Sequence, residues 1–146
     1  MIRAERGDGY VLDDDPVRLD RSRVEQWLSV EAYWSRGRTR DEIDRSIAAS
    51  WPFGVYDADD SMVAFARVLT DQVTFAWICD VFVDSGARGQ GIGTWMMSEL
   101  ASIIEATGVK RQVLATNDAH QIYASAGFAP LGAPQRWMEI DRRDAR

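Results

Sequence analysis

The chain has 146 residues, of which 46% are hydrophobic, and this is enough for one domain with a substantial core. Its net charge of −6 argues against DNA or RNA as a partner, because phosphate backbones bind basic surfaces. No apolar run approaches the roughly 18 residues of a membrane span, and the polar N-terminus does not resemble a signal peptide. The only cysteine, Cys79, allows no intramolecular disulfide and suits a reducing compartment, so we expect a cytoplasmic protein.

The first third of the chain predicts one strand and two helices. The strand covers Tyr10–Leu12. Two capping boxes, each a Ser or Thr followed three residues later by Glu, begin at Ser22 and Thr39 and mark the helix starts. The first helix is expected to end near Gly37, and the second before Pro52.

The rest of the chain predicts a mixed sheet. Three strands without an intervening helix indicate an antiparallel meander: Phe53–Asp57, Met62–Leu69 and Val73–Val83. The segments that follow are a long helix Ile92–Ala106 ended by Gly108, a strand Gln112–Ala115, a short helix Ala119–Ser125, strands at Gly127-Phe128 and Trp137–Ile140, and a charged tail Arg142–Arg146. The strand–helix–strand step requires a parallel pair, so we predict an α/β fold of about seven mostly antiparallel strands and about four helices.

The stretch Asp80–Met97 joins the end of an apolar strand to a helix through a glycine-rich turn. Alternating glycines follow Arg88: Gly89, Gly91 and Gly93. Such a turn lets backbone N–H groups approach an anion, and the helix dipole favours negative charge there. Two common phosphate motifs do not fit, because Thr94 replaces the last glycine of GxGxxG and Ile92 replaces the lysine of GxxxxGK[ST].

The run Arg88-Gly89-Gln90-Gly91-Ile92-Gly93 resembles the R-x-x-G-x-G pyrophosphate loop of the GNAT superfamily of acetyl-CoA-dependent N-acetyltransferases. The order β-α-α-β-β-β-α-β-α-β-β is also that of the family, and the resemblance covers Tyr10–Ile140. The resemblance implies one domain over residues 1–146, a splayed parallel strand pair that admits the pantetheine arm, and acetyl-CoA as co-substrate. No Cys/His spacing in the sequence suggests a metal. The residues that the resemblance places at CoA are Val81, Phe82, Val83, Arg88, Gly89, Gln90, Gly91, Ile92, Gly93, Thr94 and Asn117.

The segment Ala119–Phe128 is similar to the family signature A-x-x-x-Y-x-x-x-G-F, with Tyr123 as its tyrosine. The resemblance implies that this hydroxyl protonates the departing thiolate. The pKa values of a free thiol and a free phenol, about 8.5 and about 10, are close enough for that transfer. The alternative is a tyrosine that only packs a short amphipathic helix. Asn117 departs from the family pattern, because it stands two residues before Ala119 and not three.

Asp80 is a carboxylate in an apolar strand, where a charge is costly unless it is paired or functional. Two interpretations stay open: it holds the acceptor amine and accepts its proton, or it forms an ion pair with Arg67. His120 and water are other candidate bases. A backbone N–H near Phe82 or Val83, freed by a bulge or splay, is the expected oxyanion donor.

Aromatic residues cluster around the two early helices, a segment that by the family resemblance walls the acceptor pocket, with Arg67 beside them: Trp27, Tyr33, Trp34 and Trp51. We expect most of them in the core and one or two against the acceptor. The leading hypothesis is acetyl transfer from acetyl-CoA to a small-molecule amine by direct attack. The alternatives are a protein or peptide N-acetyltransferase and a non-catalytic acyl-CoA sensor. The expected partner is a small amine and neither nucleic acid nor a membrane, and a homodimer is allowed.

Overall fold

Six strands form one sheet in the computed structural model, which describes residues 1–143. The strands are β1 Arg3–Glu5, β2 Val11–Asp13, β3 Trp51–Tyr56, β4 Met62–Thr70, β5 Ala76–Val83 and β6 Gln112–Val113. They lie in chain order, and all neighbours are antiparallel except β5 and β6, which are parallel. The predicted mixed α/β sheet is therefore confirmed. The last three residues of the charged tail, 144–146, lie outside the described part.

Four α-helices accompany the sheet in the same residues: α1 Arg21–Glu25, α2 Arg40–Ala48, α3 Ile92–Ala106 and α4 His120–Ser125. A π-helical segment, Gln26–Glu31, continues α1, and short 3₁₀ turns occur at Ser85–Ala87 and Pro134–Arg136. The limits of α3 agree with the prediction, because its apolar residues recur with helical period and Gly108 adopts a left-handed φ of 97° just beyond it.

The sheet separates two hydrophobic cores. One core contains the buried face of α3, with Met96 and Leu100, against inward residues of the central strands such as Val55. The other contains Trp27 and Ile43 from the α1–α2 side. The two groups of helices therefore lie on opposite faces of the sheet.

The predicted capping boxes differ in outcome. The box of Thr39 and Glu42 is present at the start of α2, so that prediction is confirmed. The box at Ser22 is wrong, because Asp20 caps α1 by accepting the Arg23 N–H at 3.1 Å. The helical segment after it ends at Glu31, well before Gly37.

The strand limits also differ from the prediction, most clearly at β1 and at the start of β5. β1 was not predicted, because a three-residue polar edge strand has too few alternating residues to be recognised. β5 begins at Ala76 and not at Val73, since the Asp71 side chain accepts the backbone N–H groups of Val73 and Thr74 and folds them into a turn.

Neither strand predicted after α4 forms within residues 1–143. Gly127 has a φ of 101° and ends α4 in a Schellman motif: its N–H bonds the Ala124 carbonyl, and the Phe128 N–H bonds the Tyr123 carbonyl. The Phe128 ring then packs edge-on against Tyr123. Residues 137–140 join no sheet ladder of the described chain; Trp137 packs against Phe75, and Met138 and Ile140 are exposed.

A β-bulge interrupts β5 at Asp80. Three steps along β5, from Cys79 to Phe82, face two steps along β4, from Arg67 to Phe65. Asp80 has a φ of 54°, a left-handed conformation that aspartate tolerates better than most residues. The inserted residue reverses the alternation of the strand: Ala76 and Ile78 face the α3 core, whereas Phe82 faces the α1–α2 core.

Candidate active site

A cavity of about 960 Å³ opens where β5 and β6 separate. In the described chain these two strands pair only at Ala76↔Gln112 and Trp77↔Val113. Beyond this pairing the chain continues with Leu114 after β6 and Ile78 within β5, and both residues line the cavity. The predicted strand Gln112–Ala115 is thus cut short by the splay, and the unpaired edge of β5 leaves backbone groups facing the gap. Val81, Phe82 and Val83 lie along this edge and line the cavity.

The glycine loop between β5 and α3 borders the same cavity. Gly89 and Gly91 have left-handed φ values of 84° and 72°, and Gly91 is the N-cap of α3. A Cβ on Gly89 would meet no atom of the described chain within 4 Å, so this backbone borders open space. A Cβ on Gly93 would make an ordinary contact with the Val83 side chain, at 3.5 Å. These features suit a pyrophosphate, whose oxygens accept from exposed N–H groups at a helix N-terminus.

All but one of the predicted loop residues line the cavity. The cavity is lined by Arg88, Gly89, Gly91, Ile92, Gly93 and Thr94. Gln90 is exposed and does not line it. The Arg88 Nε donates to the Val83 carbonyl at 3.2 Å, and its guanidinium lies 5.4 Å from the centre of the Phe82 ring. Arg88 therefore supplies positive charge at the end of β5.

Tyr123 on α4 lines the cavity together with Ala119 and Ile122. Burial raises the pKa of its hydroxyl, and the nearby Asp118 carboxylate adds to that increase. The phenol therefore keeps its proton at neutral pH, as a proton donor must. The Schellman motif at Gly127 fixes the end of α4, and the edge contact with Phe128 holds the ring, so the signature spacing has a direct structural role.

Asp80 is the most buried charged residue of the cavity wall, with a side chain only 3% exposed. Its Oδ2 accepts from Arg67 Nε at 2.6 Å and Arg38 Nη1 at 2.7 Å, and its Oδ1 accepts from Trp34 Nε1 at 3.0 Å. The ion pair with Arg67, one of the two interpretations, is present. Burial opposes ionisation, but the Arg38 hydrogen bond and the charges of Arg67 and Arg38 outweigh it and lower the pKa of Asp80. A carboxylate held in this way is a weak base.

The predicted aromatic wall is only partly assembled. Tyr33, Trp34 and Arg67 line the cavity. Trp27 is buried behind it, stacked on Phe82 at 5.4 Å between ring centres. Trp51 lies elsewhere, because its Nε1 donates to Asp14 and its ring packs against Phe53 next to the α3 core. Sequence proximity to the early helices could not distinguish these faces.

Two polar residues that the sequence singled out lie outside the main cavity. Asn117 and His120 line a separate depression at the start of α4. Arg38 was not predicted at all, although it bonds Asp80; it lies 42 positions away in a loop without a recognisable motif. Cys79 lines the cavity, and burial raises the pKa of its thiol to about 11, so it stays protonated at neutral pH.

Comparison with known proteins agrees with this geometry. The family profile described as acetyltransferase (GNAT) domain matches residues 49–130. A solved structure from Xanthomonas campestris pv. campestris, provisionally named a GNAT acetyltransferase, is 36% identical, with 90% of this chain and 92% of that chain covered and a TM-score of 0.84. A provisionally named acetyltransferase of Gibberella zeae is 26% identical over 81% of this chain and 77% of its own length.

The fold recurs in more distant proteins. A provisionally named acetyltransferase from Deinococcus radiodurans is 17% identical, with a TM-score of 0.70 over 97% of this chain and 94% of that chain, and this likeness concerns the fold alone. The chain belongs to the GNAT acetyltransferase family. Among residues 1–143, no cluster of three or more metal-binding side chains occurs, and no helix is long and apolar enough to cross a bilayer.

Proposed function

We propose that this protein transfers an acetyl group from acetyl-CoA to the nitrogen of a small-molecule amine by direct attack on the thioester. The observation that carries the proposal is the meeting of the glycine loop, the β5–β6 splay and Tyr123 at one cavity. These three elements come from separate parts of the chain. Each supplies one requirement of acetyl transfer: binding of the cofactor, room for its arm and protonation of its thiol.

The residues of the loop fit the cofactor. Gly89 and Gly91 would present backbone N–H groups to the pyrophosphate, and Arg88 would add charge. Bound acetyl-CoA supplies an acetyl thioester that releases a thiol when its acyl group passes to an amine. Val81–Val83, on the unpaired edge of β5, would flank the arm and offer a backbone N–H to the thioester oxygen.

Tyr123 serves as the general acid. It gives its proton to the departing sulfur while the nitrogen lone pair forms the new C–N bond and the C–S bond breaks. It regains a proton from the acylated nitrogen, so the side chain is unchanged after each cycle. Because Asp80 is a weak base here, we propose that the ammonium loses its first proton to water in the cavity. The cytoplasm, where Cys79 stays reduced, is the compartment that we propose.

The test is thiol release from acetyl-CoA against a panel of small amines, lysine peptides and a control without acceptor, with calorimetric binding of CoA measured on the same protein. We expect CoA to bind and thiol release to depend on a small amine. Release with peptides alone would favour a protein N-acetyltransferase. Binding without release would favour a sensor, and a folded protein that does not bind CoA would refute the proposal.

A further inference from the structure

We propose that the acceptor amine also carries an oxyanion, a carboxylate or a phosphate, which binds Arg38 and Arg67 in the cavity. The inference rests on the acetyltransferase function proposed above and specifies the substrate class of the same site. It is carried by a hydrogen-bonded cluster around the buried Asp80 carboxylate, which we call the arginine pair site: Arg38, Arg67, Asp80 and Trp34.

The two guanidinium groups have most of their donors left for a ligand. Each donates a single N–H to Asp80, Arg38 through Nη1 and Arg67 through Nε. Neither makes another hydrogen bond to residues 1–143, so four N–H groups of each fork are available. Both residues line the cavity. Arginine forks bind planar carboxylates and phosphates through two parallel hydrogen bonds, which gives both geometry and strength.

The charge balance of the site favours an anion. Arg67 and Arg38 share the carboxylate of Asp80, and their side chains are only 13% and 23% exposed. Glu42 is engaged in the Thr39 capping box. All other charged residues that line the cavity are exposed and solvated: Glu31, Arg36, Glu42, Arg88, Asp118 and Arg143. The inner charges therefore leave one unit of positive charge in a poorly solvated place, where a ligand oxyanion would compensate it.

Asp80 acts as the positioning residue of this site. The bulge turns its side chain toward Arg67 and Arg38, and the Trp34 indole N–H fixes its second oxygen. The arginines are thus held before any ligand arrives, and a ligand loses less free energy to their ordering. The same arrangement explains why Asp80 need not contact the amine: its charge is used to orient the cations.

The experiment compares matched pairs of amines that differ in the oxyanion: O-phosphoethanolamine and ethanolamine, γ-aminobutyrate and butylamine, and L-phenylalanine and phenethylamine. Binding to the CoA-loaded protein is measured by calorimetry, and thiol release from acetyl-CoA is measured separately. We expect at least one anionic member to bind tenfold or more tightly than its neutral partner. In Arg38→Gln and Arg67→Gln that preference should fall roughly 10–100-fold, the worth of one charged hydrogen-bond pair.

Arg45→Gln is the matched control, because Arg45 pairs with Asp41 on the exposed face of α2, away from the cavity. If Arg67→Gln does not fold, Arg67→Lys is the substitute variant. It keeps the positive charge beside Asp80 but loses the planar guanidinium, and its preference for the anionic amine should be intermediate.

Equal or tighter binding of all three neutral amines would overturn the inference, as would a preference for the anionic amine that survives both Gln variants. Thiol release with neutral amines would then leave the transferase function standing. Preferential binding of the anion without thiol release would refute the transferase function and support the oxyanion site.

Discussion

Asp80 shows how one residue can set both the course of the backbone and the charge of a site. Its left-handed φ creates the bulge, and its carboxylate accepts hydrogen bonds from three donors, two in one loop and one in a strand. The sequence indicated that an aspartate in this strand needs a partner, and Arg67 is a near neighbour on the adjacent strand β4. Arg38 could not be predicted, because its approach depends on how the segment after α1 folds over the sheet.

Asp80→Asn should destabilise the fold by roughly 1.5–3 kcal/mol at neutral pH, because two partly buried guanidinium groups lose their counter-charge. Folding lowers the pKa of Asp80 below the value of about 3.9 in an unfolded chain. Its carboxylate therefore stabilises the folded state above that value, and the contribution is lost as the pH falls toward the folded-state pKa. Urea unfolding between pH 3 and 7 should show that the free energy of unfolding falls less steeply with decreasing pH in the variant than in the wild type. Asp8→Asn, which breaks an exposed pair with Arg6, is the control and should change little. An unchanged acid slope would contradict the prediction.

Tyr123→Phe removes one hydroxyl and keeps the ring that packs against Phe128. We expect kcat to fall by about 10²–10⁴-fold, the usual worth of a general acid, while the Kd for CoA stays within about twofold. Steady-state kinetics and calorimetry check the two quantities. Tyr10→Phe is the control, since its ring packs under Arg6 and does not line the cavity. An unaltered kcat would mean that water, and not Tyr123, protonates the departing thiolate.

Tyr56→Phe should raise the free energy of unfolding by about 1 kcal/mol. The hydroxyl is buried against Gly54 and has no hydrogen-bond partner within residues 1–143, and a buried unsatisfied polar group costs about 1–3 kcal/mol. Phenylalanine keeps the ring on which the Arg18 guanidinium lies, 3.8 Å from its centre. Urea unfolding measures the change, again beside Tyr10→Phe. A loss of stability would mean that the hydroxyl binds a buried water.

At the scale of elements, the local patterns were the most reliable predictors. The capping box of α2, the limits of α3 and the glycine turn before it depend on residues a few positions apart, so the sequence contains all that determines them. The C-terminal strands failed for the opposite reason. Their apolar residues satisfy a strand pattern, but pairing requires an edge, and β6 pairs over only two residues of the described chain.

Gly91→Asp should abolish CoA binding while the domain stays folded. The new side chain would place a negative charge at the N-terminus of α3, where the pyrophosphate is proposed to bind. Gly108→Asp is the matched control, because it puts the same residue in the same left-handed conformation at the other end of α3. Calorimetry should show CoA binding to the control only. Normal binding to Gly91→Asp would mean that the loop does not hold the cofactor.

At the scale of the whole molecule, the two cores form layers on either side of a sheet that opens where β5 and β6 separate. Pairing in chain order from β1 to β5 fixes the layers, and the cavity lies where this pairing ends. The sequence predicted the layers and the splay, the latter through the family resemblance. It could not predict that Trp34 faces the cavity while Trp51 packs at the α3 core, because the orientation of a side chain between layers is a tertiary property.

A ligand that binds in the opening should stabilise the whole domain. At a CoA concentration of 100 Kd, mass action adds about 2.7 kcal/mol, which corresponds to an increase in Tm of roughly 5–10 °C for a domain of this size. Differential scanning fluorimetry with and without CoA measures the shift. Gly108→Asp should keep it and Gly91→Asp should lose it. An unchanged Tm of the wild type in the presence of CoA would indicate that the cavity does not bind CoA.

The inserted residue of β5 also restricts how this strand can change in length. Residues before and after Asp80 contribute their buried side chains to different cores, so the strand depends on the parity of its residue count. A deletion of one residue between Cys79 and Phe82 would remove the bulge and leave Phe82 and Val83 on their present faces, because two steps along β5 would then match two steps along β4. A deletion of two residues would turn Phe82 toward α3 and Val83 toward the α1–α2 side, exchanging a large ring for a small branched side chain in both layers. Length changes in this strand are therefore tolerated only where they preserve the two faces, a condition that the loops beside the strand do not impose.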